Sequence, residues 1–388
     1  MNWDNWERHA AWLSRQVTEP GSRWRPLVAA APRHEFVPRW WSRQGDGWTL
    51  EDGPAKPAAD WLGGVYRDTS LVTQVDTLHA DHASEQDRPQ GRPTSSGTMP
   101  GLVVSMYRHA MIGDEMDVLD VGTGSGYGAA LLAARLGDAR VTTVDIDPYL
   151  VKAAEERIAT TGLRPRVAVA DATGPLPGDY DRIVSMTSVA PVPASWLAAL
   201  RPGGRLVTTL TGTGLIITAN KTPDGGAKGQ TQFDRAGFME ARTGPGYPPQ
   251  VLQSIPGALD GDIGDITTGR YPVVNTSWAW ELFSMLGVTV PGIEHHFESG
   301  PDGKRTAWLA HPDGSWARAT ATGDEPPEVR QGGPQRLWDT ADDIRHTWLT
   351  DGNLPAYGAA ITISPDGGIH LKKGRWETTI PASEPSSS

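Results

Sequence analysis

The chain contains no cysteine among its 388 residues. This absence excludes disulfides, a thiolate nucleophile and cysteine-ligated zinc, and it is typical of a cytoplasmic chain. The sequence also lacks any run of about 18 apolar residues, the length that a membrane-spanning helix needs, and its first residues lack the apolar core of a signal peptide. We therefore expect a soluble, cytoplasmic protein that does not contact a membrane.

Basic residues are also in deficit. Asp and Glu number 46 against 35 Lys and Arg, a formal net charge of −11. Such a surface argues against general binding of nucleic acids or anionic membranes. The content of hydrophobic residues (38%) and charged residues (21%) is that of an ordinary globular chain. Its length predicts two or three domains.

The most informative stretch is residues 118–133, which reads Val-Leu-Asp-Val-Gly-Thr-Gly-Ser-Gly-Tyr-Gly-Ala-Ala-Leu-Leu-Ala. A short apolar run predicts a buried parallel strand. The run ends at Gly122, Gly124 and Gly126, and an Ala/Leu-rich helix follows. Glycines in such a turn let the backbone approach a ligand closely, and the free N–H groups at the helix start favour electron-rich groups.

Two cofactors fit this turn. Read from Gly124, the residues through Ala129 satisfy the dinucleotide fingerprint with a final alanine. Read from Gly122, they give the G-x-G-x-G pattern of S-adenosylmethionine enzymes. We prefer the second register because the predicted strand ends at Val121 and leaves no residue between strand and glycine. The first register keeps a nicotinamide-dependent oxidoreductase as an alternative, although no hydride-accepting site or proton donor can be nominated for it.

An acidic residue lies at or near the end of each of three successive predicted strands. Asp120 is close to the end of the first, Asp145 ends the second, and Asp171 follows the third. An acid about 20 residues beyond a glycine turn holds the ribose hydroxyls in either cofactor class. A Pro-Gly-Gly turn at 202–204 precedes a further strand. The pattern resembles an α/β fold of the class I methyltransferase type, with a Rossmann-like doubly wound sheet.

The flanking regions are less regular. Spacing predicts an amphipathic helix over 2–17 and loops over 33–38 and 42–64. Residues 79–93 show no core pattern. Beyond residue 220, Pro-Asp-Gly turns indicate hairpins, most clearly over 307–319. An apolar face predicts one further helix over residues 335–349.

Several strings together resemble the protein-L-isoaspartate O-methyltransferases over about residues 20–210. They are Arg-His-Glu-Phe-Val-Pro at 33–38, the Ser/Thr-rich loop before Pro100, Gly-Thr-Gly-Ser-Gly-Tyr at 122–127 and Arg-Pro-Gly-Gly at 201–204. Residues 66–75, 93–96 and 332–338 are similar to a subgroup found in ribosomal-peptide maturation systems paired with an ATP-grasp ligase. Such enzymes methylate an Asp side chain in a crosslinked (graspetide-type) peptide, and the ester then collapses to an aspartimide.

The sequence pattern and the resemblance together predict four regions. Residues 1–93 would be the N-terminal helix and an inserted loop region, and 94–215 the methyltransferase core that binds S-adenosylmethionine. Residues 216–380 would be an added C-terminal α+β domain that engages the peptide. Residues 381–388 would be a disordered tail. The implied partners are the modified precursor peptide and the ATP-grasp ligase of the same pathway.

The resemblance also implies a site. Asp145 would hold the ribose, and Asp171 with Ala172 would face the adenine. Ser95 and Ser96 would contact the acceptor peptide. The full set expected at the cofactor is Ser96, Gly97, Thr98, Asp120, Gly122, Thr123, Gly124, Ser125, Gly126, Tyr127, Asp145, Ile146, Asp171 and Ala172.

The acceptor loop departs from the family pattern. That pattern is Thr-x-Ser-x-Pro, with the Ser hydroxyl near both the methyl donor and the acceptor carboxylate. Here the loop reads Ser96-Gly97-Thr98-Met99-Pro100, so Thr98 replaces the Ser. A hydroxyl survives on a side chain that is stiffer at χ1. Thr98 is thus the candidate catalytic residue, and its alternative role is that of a hydroxyl at a helix N-terminus.

Methyl transfer to a carboxylate requires no general base, because a carboxyl group with an ordinary pKa is ionised at neutral pH. Accordingly, no catalytic His/Asp pair is expected. His295, His296 and His311 invite a metal site, but adjacent residues on a strand point to opposite faces, and we expect no metal. Two further functions stay open on the sequence, a repair enzyme acting on isoaspartyl residues and a non-catalytic peptide-binding protein.

Overall fold

The computed structural model describes residues 5–45, 47–244, 247, 251–254 and 264–382. The elements that precede the glycine turn are α1 (Trp6–Val17), α2 (Arg25–Ala30), α3 (Arg33–Phe36), β1 (Arg39–Gln44), β2 (Gly47–Asp52), α4 (Ala58–Val65), β3 (Leu71–Val75), β4 (Leu78–His79), β5 (Pro93–Gly97), α5 (Pro100–His109) and β6 (Val118–Val121).

The elements from the glycine turn up to residue 235 are α6 (Tyr127–Leu136), β7 (Val141–Asp145), α7 (Pro148–Thr160), β8 (Arg166–Val169), β9 (Tyr180–Val189), α8 (Ala194–Ala199), β10 (Leu200–Leu210), β11 (Leu215–Lys221) and β12 (Ala227–Arg235). The remaining elements are α9 (Val251–Ser254), β13 (Asp265–Thr268), α10 (Trp280–Thr289), β14 (Glu294–Ser299), β15 (Lys304–Ala310), β16 (Trp316–Thr322), β17 (Glu328–Gly332), α11 (Leu337–Asp351), β18 (Ala360–Ile363), β19 (Ile369–Lys373) and β20 (Trp376–Ile380).

A ten-stranded sheet organises the molecule, in the order β20-β19-β18-β12-β11-β10-β9-β6-β7-β8. The five strands from β10 to β8 are parallel. All four residues of β6 are buried, as the apolar run predicts for a central parallel strand. Its carboxyl end lies beside those of β7 and β9, which is where open α/β sheets bind ligands.

Helices cover both faces of this parallel half. Val118 belongs to the core cluster that includes the buried side chains of α5 and α6. Leu119 and Val121 belong to the opposite cluster, with Trp196 and Leu197 of α8. Successive side chains of β6 therefore pack into two different hydrophobic cores, one on each face of the sheet. The predicted α/β, doubly wound class I methyltransferase fold is confirmed.

The predicted boundary at residue 215/216 falls inside the central sheet. β11 pairs antiparallel with β10, and β12 pairs with β18, so strands from the C-terminal extension continue the core sheet. The Pro-Asp-Gly turns were expected to build a separate unit. Two of them instead connect strands of the core sheet, because β11–β12 and β18–β19 bury apolar side chains in the cluster of α8.

The rest of the extension forms a second sheet in the order β13-β17-β16-β15-β14. The predicted hairpin at 307–319 is confirmed, with Ala310 of β15 opposite Trp316 of β16. The predicted helix is also confirmed as α11, which buries Leu337, Trp338 and Ala341. This sheet, with α10 and α11, is the added α+β unit.

The loop predicted over 42–64 is wrong. This stretch contains the end of β1, all of β2 and most of α4. The two strands belong to a five-stranded sheet with β3, β4 and β5. Trp41 and Trp48 of the β1–β2 hairpin are buried together under this sheet. The glycines and prolines suggested a loop, but buried tryptophans supply the apolar area that stabilises the hairpin. Residues 33–36 form the short helix α3, also where a loop was expected.

No helix in the described ranges is long and apolar enough to cross a membrane. The tail predicted over 381–388 lies outside the described residues, except for residues 381 and 382.

Candidate active site

A cavity opens at the carboxyl edge of the parallel strands. The glycine turn after β6 and the end of β7 contribute Gly122, Gly124, Asp145 and Ile146 to its lining. β6 ends at Val121, directly before the first glycine, as the S-adenosylmethionine register predicts. We call this side of the cavity the glycine wall.

Bare backbone forms this wall because side chains do not fit there. Gly122 has φ +91°, and a Cβ at this position would lie 3.0 Å from the Cγ2 of Thr187. Gly124 has φ +51°, and its Cβ would lie 3.2 Å from the carbonyl oxygen of Ser96. Left-handed backbone and close approach together require glycine at both positions.

Asp145 is held in place by the same turn. Its Oδ2 accepts a hydrogen bond from the Gly124 N–H at 2.9 Å, and its Oδ1 accepts one from the Asp147 N–H at 3.2 Å. Burial raises the pKa of Asp145, and these two hydrogen bonds act in the opposite direction. Each carboxylate oxygen retains a second lone pair that can accept a hydroxyl group.

Asp120 lies deeper, against a smaller second cavity behind the glycine turn. Its carboxylate accepts hydrogen bonds from the Thr143 hydroxyl at 2.9 Å and the Tyr107 hydroxyl at 3.5 Å. Burial raises the pKa of Asp120 to about 7. Thr123 shares this network through its hydroxyl, 2.7 Å from that of Thr143.

Ser125 and Tyr127 also line the smaller cavity, whereas Gly126 lines neither. Gly126, with φ +87°, instead lets α6 pack closely, since its Cβ would lie 3.0 Å from that of Ala154. The Tyr127 ring packs edge-on against Phe36. Its buried hydroxyl has no hydrogen-bond partner among the described residues. Tyr127 therefore packs into the core with its ring and also lines the smaller cavity, so its expected contact with the cofactor stays a prediction.

Residues of the acceptor loop line the same cavity as the glycine wall. Ser95, Ser96 and Thr98 line the main cavity, and Ser96 and Thr98 also line the smaller one. Ser95 is buried and accepts a hydrogen bond from the Thr73 hydroxyl at 3.1 Å. Gly97 lines neither cavity and packs on Val37, where a Cβ would lie 2.5 Å from the Cγ2. The structure thus brings Thr98 to the junction of the two cavities.

Arg33 fixes this loop from behind. Its guanidinium is buried and donates hydrogen bonds to the carbonyl oxygens of Gly97 (3.4 Å) and Thr98 (3.3 Å). It also donates to the carbonyls of Val65, Arg67 and Thr69. Burial lowers the pKa of Arg33 to about 10, so it remains charged at neutral pH. Arg33, the first residue of the Arg-His-Glu-Phe-Val-Pro string, therefore anchors the acceptor loop.

The two residues expected after the third strand, Asp171 and Ala172, differ in whether they line the main cavity. Ala172 lines the main cavity, together with Ala170. Asp171 does not, because its Oδ1 accepts hydrogen bonds from the Thr173 N–H (2.8 Å) and hydroxyl (2.6 Å). In this arrangement the Asp171 side chain does not line the cavity in which the adenine is expected.

Several lining residues had no prediction. Met186 and Thr187 lie near the carboxyl end of β9, directly after its buried residues 183–185. The apolar pattern of this strand could therefore have predicted their position at the carboxyl edge. Ser70 and Val72 come from the region around β3, which no signal connected to the site. The third group, residues 237–242 with Tyr247, comes from beyond β12.

The histidines do not assemble a metal site. His295 faces Thr276, with 3.1 Å between ring nitrogen and hydroxyl, while the neighbouring His296 pairs with Glu298 at 3.0 Å on the other face of β14. His311 pairs with Asp313. Within the part of the chain that the structure describes, no three metal-ligating side chains cluster.

The residues present fit S-adenosylmethionine. A nucleoside with a charged amino-acid tail needs close backbone approach and a carboxylate for its ribose, and the glycine turn and Asp145 offer both at one cavity. The tail would extend towards the smaller cavity beside Asp120.

Comparison with known proteins agrees with this geometry. A family model described as "Protein-L-isoaspartate(D-aspartate) O-methyltransferase (PCMT)" matches residues 81–233. The protein-L-isoaspartate O-methyltransferase of Ignicoccus hospitalis is 32% identical over 154 residues, which is 37% of this chain and 72% of the relative. That of Xanthobacter autotrophicus is 37% identical over 156 residues, or 38% of this chain and 69% of the relative.

Other relatives match a shorter segment. The chain spans 54% of the protein-L-isoaspartate O-methyltransferase of Thermococcus onnurineus, at 37% identity over 123 residues, which is 31% of this chain. A solved structure of a protein-L-isoaspartate O-methyltransferase aligns over 96% of this chain and 98% of its own, with 16% identity and a TM-score of 0.49. On the sequence matches, the chain belongs to the protein-L-isoaspartate O-methyltransferase family of S-adenosylmethionine-dependent carboxyl O-methyltransferases.

Proposed function

We propose that this chain is an S-adenosylmethionine-dependent carboxyl O-methyltransferase. Its acceptor is an Asp side chain in a ribosomally made, ester- or amide-crosslinked peptide, and the methyl ester then cyclises to an aspartimide, which can hydrolyse to isoaspartate. One observation carries the carboxyl-transfer part: the hydroxyl residue Thr98 lines the same cavity as the glycine turn, on a loop anchored by the buried guanidinium of Arg33.

S-adenosylmethionine supplies an electrophilic methyl group on sulfur, which passes to a carboxylate oxygen while S-adenosylhomocysteine leaves. The protein has to hold that oxygen in line with the methyl group, at about 3–3.5 Å, and to exclude water. Thr98 donates its hydroxyl to orient the acceptor, and Arg33 fixes the backbone that carries Thr98. No histidine lines the main cavity among the described residues, which suits a reaction that needs no base.

The ester makes the following ring closure possible. Methoxide is a better leaving group than oxide, so the next backbone N–H of the peptide can displace methanol within the same chain. Such an intramolecular attack is favoured by proximity. It needs no residue of the protein, so the enzymatic part of the proposal ends at the ester.

The peptide-maturation substrate rests on the resemblance of the acceptor-loop region and on the added unit. Methyl transfer requires only the glycine wall and the acceptor loop, yet the chain carries a second sheet with α10 and α11. We assign to this unit the engagement of the precursor peptide. An ATP-grasp ligase would supply the crosslinked substrate.

Repair of isoaspartyl residues is the second candidate. It is favoured by the curated relatives, which are themselves protein-L-isoaspartate O-methyltransferases. Both candidates require the same cavity and the same chemistry. They differ only in which peptide reaches Thr98.

The experiment offers two acceptors with S-adenosylmethionine and follows them by mass spectrometry. One is a model isoaspartyl peptide, and the other is the crosslinked precursor peptide made by a neighbouring ligase, with the uncrosslinked precursor as control. A transient added methyl group or loss of one water on the crosslinked precursor alone supports maturation. Methylation of the isoaspartyl peptide alone contradicts it and favours repair.

A further inference from the structure

The segment between β12 and the second sheet contributes an unexpected wall to the cofactor cavity. Residues 237–242 and Tyr247 line the same cavity as Asp145, Ile146 and Ala172. They lie beyond residue 233, where the match to the family model ends. We call this set, residues 237–242 with Tyr247, the extension wall.

Backbone hydrogen bonds fix this wall to the core sheet. The Ser188 N–H, near the end of β9, donates to the Met239 carbonyl at 2.8 Å, and the Ala241 N–H donates to the Ser188 carbonyl at 2.8 Å. Ser188 and Glu240 accordingly form a parallel bridge. The wall is therefore held as an added strand-like segment at the cavity rim.

Side chains then close the rim. The guanidinium carbon of Arg242 lies 5.6 Å from the centre of the Tyr247 ring, and that of Arg92 lies 4.9 Å from it. The Tyr247 hydroxyl donates to the Glu240 carbonyl at 2.9 Å. Cation–π contacts stabilise such a ring, so Arg242 and Tyr247 hold one another in position.

The extension wall lines the main cavity together with Asp145, Ile146 and Ala172, and none of its residues lines the smaller cavity. Burial raises the pKa of Asp145, and the charge of Arg242 acts in the opposite direction; burial likewise raises the pKa of the Tyr247 phenol, and the Asp145 charge adds to that shift. Arg242 and Tyr247 therefore share one cavity with the carboxylate expected to accept the ribose hydroxyls. Ser96 and Thr98 of the acceptor loop, by contrast, line both cavities.

We infer that Arg242 and Tyr247 are cofactor-binding residues supplied by the C-terminal extension, and that they enclose the purine nucleoside half of S-adenosylmethionine. The inference rests on the proposed function, since it assigns additional residues to the same site. It makes the extension part of the cofactor site as well as the unit that engages the peptide.

The test is calorimetric titration of the full chain with S-adenosylhomocysteine and with 5′-methylthioadenosine, which retains only the nucleoside half. Arg242→Ala should weaken both ligands by the same factor, about tenfold or more, because a charged partner of the site is lost. Arg235→Ala is the matched control. Its guanidinium stacks on Trp280 at 4.8 Å in the same extension but does not line the cavity, so both affinities should stay within about twofold.

Contrary outcomes are distinct. Unchanged affinities in Arg242→Ala with a raised KM for the acceptor peptide would overturn the inference and make the extension wall an acceptor site. Failure of the unaltered chain to bind S-adenosylhomocysteine would instead overturn the proposed function. If Arg242→Ala does not fold, Arg242→Gln, which keeps hydrogen-bond donors without the charge, decides by the same two titrations.

Discussion

The cavity has two sides that differ in how far apart their residues lie in the chain. The glycine wall comes from Gly122, Gly124, Asp145 and Ile146, on two adjacent parallel strands. The facing side is assembled from β3, from the acceptor loop that follows soon after it, and from the extension wall, which lies more than 100 residues further along the chain. The first side is set by local chain geometry, and the second by long-range packing.

The difference divides the work of the site. Any enzyme that binds this cofactor needs a glycine turn and a ribose acid. The facing side carries Thr98, which we propose orients the acceptor, and Arg242, which belongs to this chain's own extension. Changes to the glycine wall should therefore affect cofactor affinity, and changes to the acceptor loop should affect methyl transfer.

The largest expected effect is at Arg33. Arg33→Ala removes hydrogen bonds to five carbonyl groups and should lower the free energy of unfolding by roughly 4 kcal/mol, because buried carbonyls lose their partners. Urea unfolding measures this loss. Methyl transfer per folded molecule should also fall, since the loop carrying Thr98 is released.

Arg39 provides the control for that variant. It donates to the carbonyls of Asp81 and Ala83 and pairs with Asp52, without touching the acceptor loop. Arg39→Ala should lose stability and keep its turnover number. Equal loss of turnover in both variants would show that Arg33 acts through stability alone.

Thr98 should come next. Thr98→Val keeps the shape and removes the hydroxyl, so methyl transfer should slow by roughly a hundredfold, about 2.7 kcal/mol, the size seen when one oriented donor is lost. The affinity for S-adenosylhomocysteine should not change. Thr98→Ser keeps a hydroxyl and introduces the residue of the family pattern, so this variant should keep most of the activity. A Thr98→Val enzyme with full activity would assign Thr98 to the helix start alone.

Asp120 should make stability depend on pH. Its folded pKa of about 7 lies above its ordinary value of 3.8, so between these values the folded state binds one proton more than the unfolded chain. This contribution to stability is fully present below pH 3.8 and is lost as pH rises through 7. From pH 5 to 7 the loss should be about 2 kcal/mol, at about 1.4 kcal/mol per pH unit.

Asp120→Asn isolates this effect, because it keeps a similar shape and does not titrate. The free energy of unfolding of the parent relative to Asp120→Asn, measured by urea titration at several pH values, should fall from pH 5 to 7. A constant difference would mean that Asp120 is ionised in the folded protein throughout.

The smallest expected effect tests the glycine wall itself. Gly124→Ala puts a Cβ 3.2 Å from the Ser96 carbonyl at φ +51°, and should weaken S-adenosylhomocysteine about tenfold, or 1.4 kcal/mol. Gly352→Ala is the control, because Gly352 also has a positive φ (+73°) but no atom within 4 Å of its would-be Cβ. It should lose stability alone. Equal binding losses in both variants would make the glycine turn merely strained backbone.

The sequence predicted the glycine wall well because its signals are local. A four-residue apolar run, three glycines and an acid at the end of the next strand are read without knowledge of tertiary contacts. The register at Val121 and the parallel sheet followed from them. The prediction failed where packing decides, as in the β1–β2 hairpin, where buried Trp41 and Trp48 override glycine-rich composition.

The facing side was predicted only in part. Thr98 and Ser96 were found through a family motif, not through periodicity. Arg242 and Tyr247 carry no local signal, because their place in the site depends on hydrogen bonds between the segment around residue 240 and Ser188. Asp171 shows the opposite failure: it stands at the expected position, but its carboxylate binds Thr173.

The central claim, carboxyl methyl transfer, has a direct measurement. The chain is incubated with S-adenosylmethionine labelled in its methyl group and with both acceptor peptides, and the products are then treated with mild base. Because a carboxyl methyl ester loses methanol both on ring closure and on hydrolysis in base, the account predicts that one peptide accepts label and that all of this label ends as volatile methanol, with Thr98→Val strongly reduced. Label that stays on the peptide after base treatment would contradict it, since a methyl group on nitrogen is not released this way.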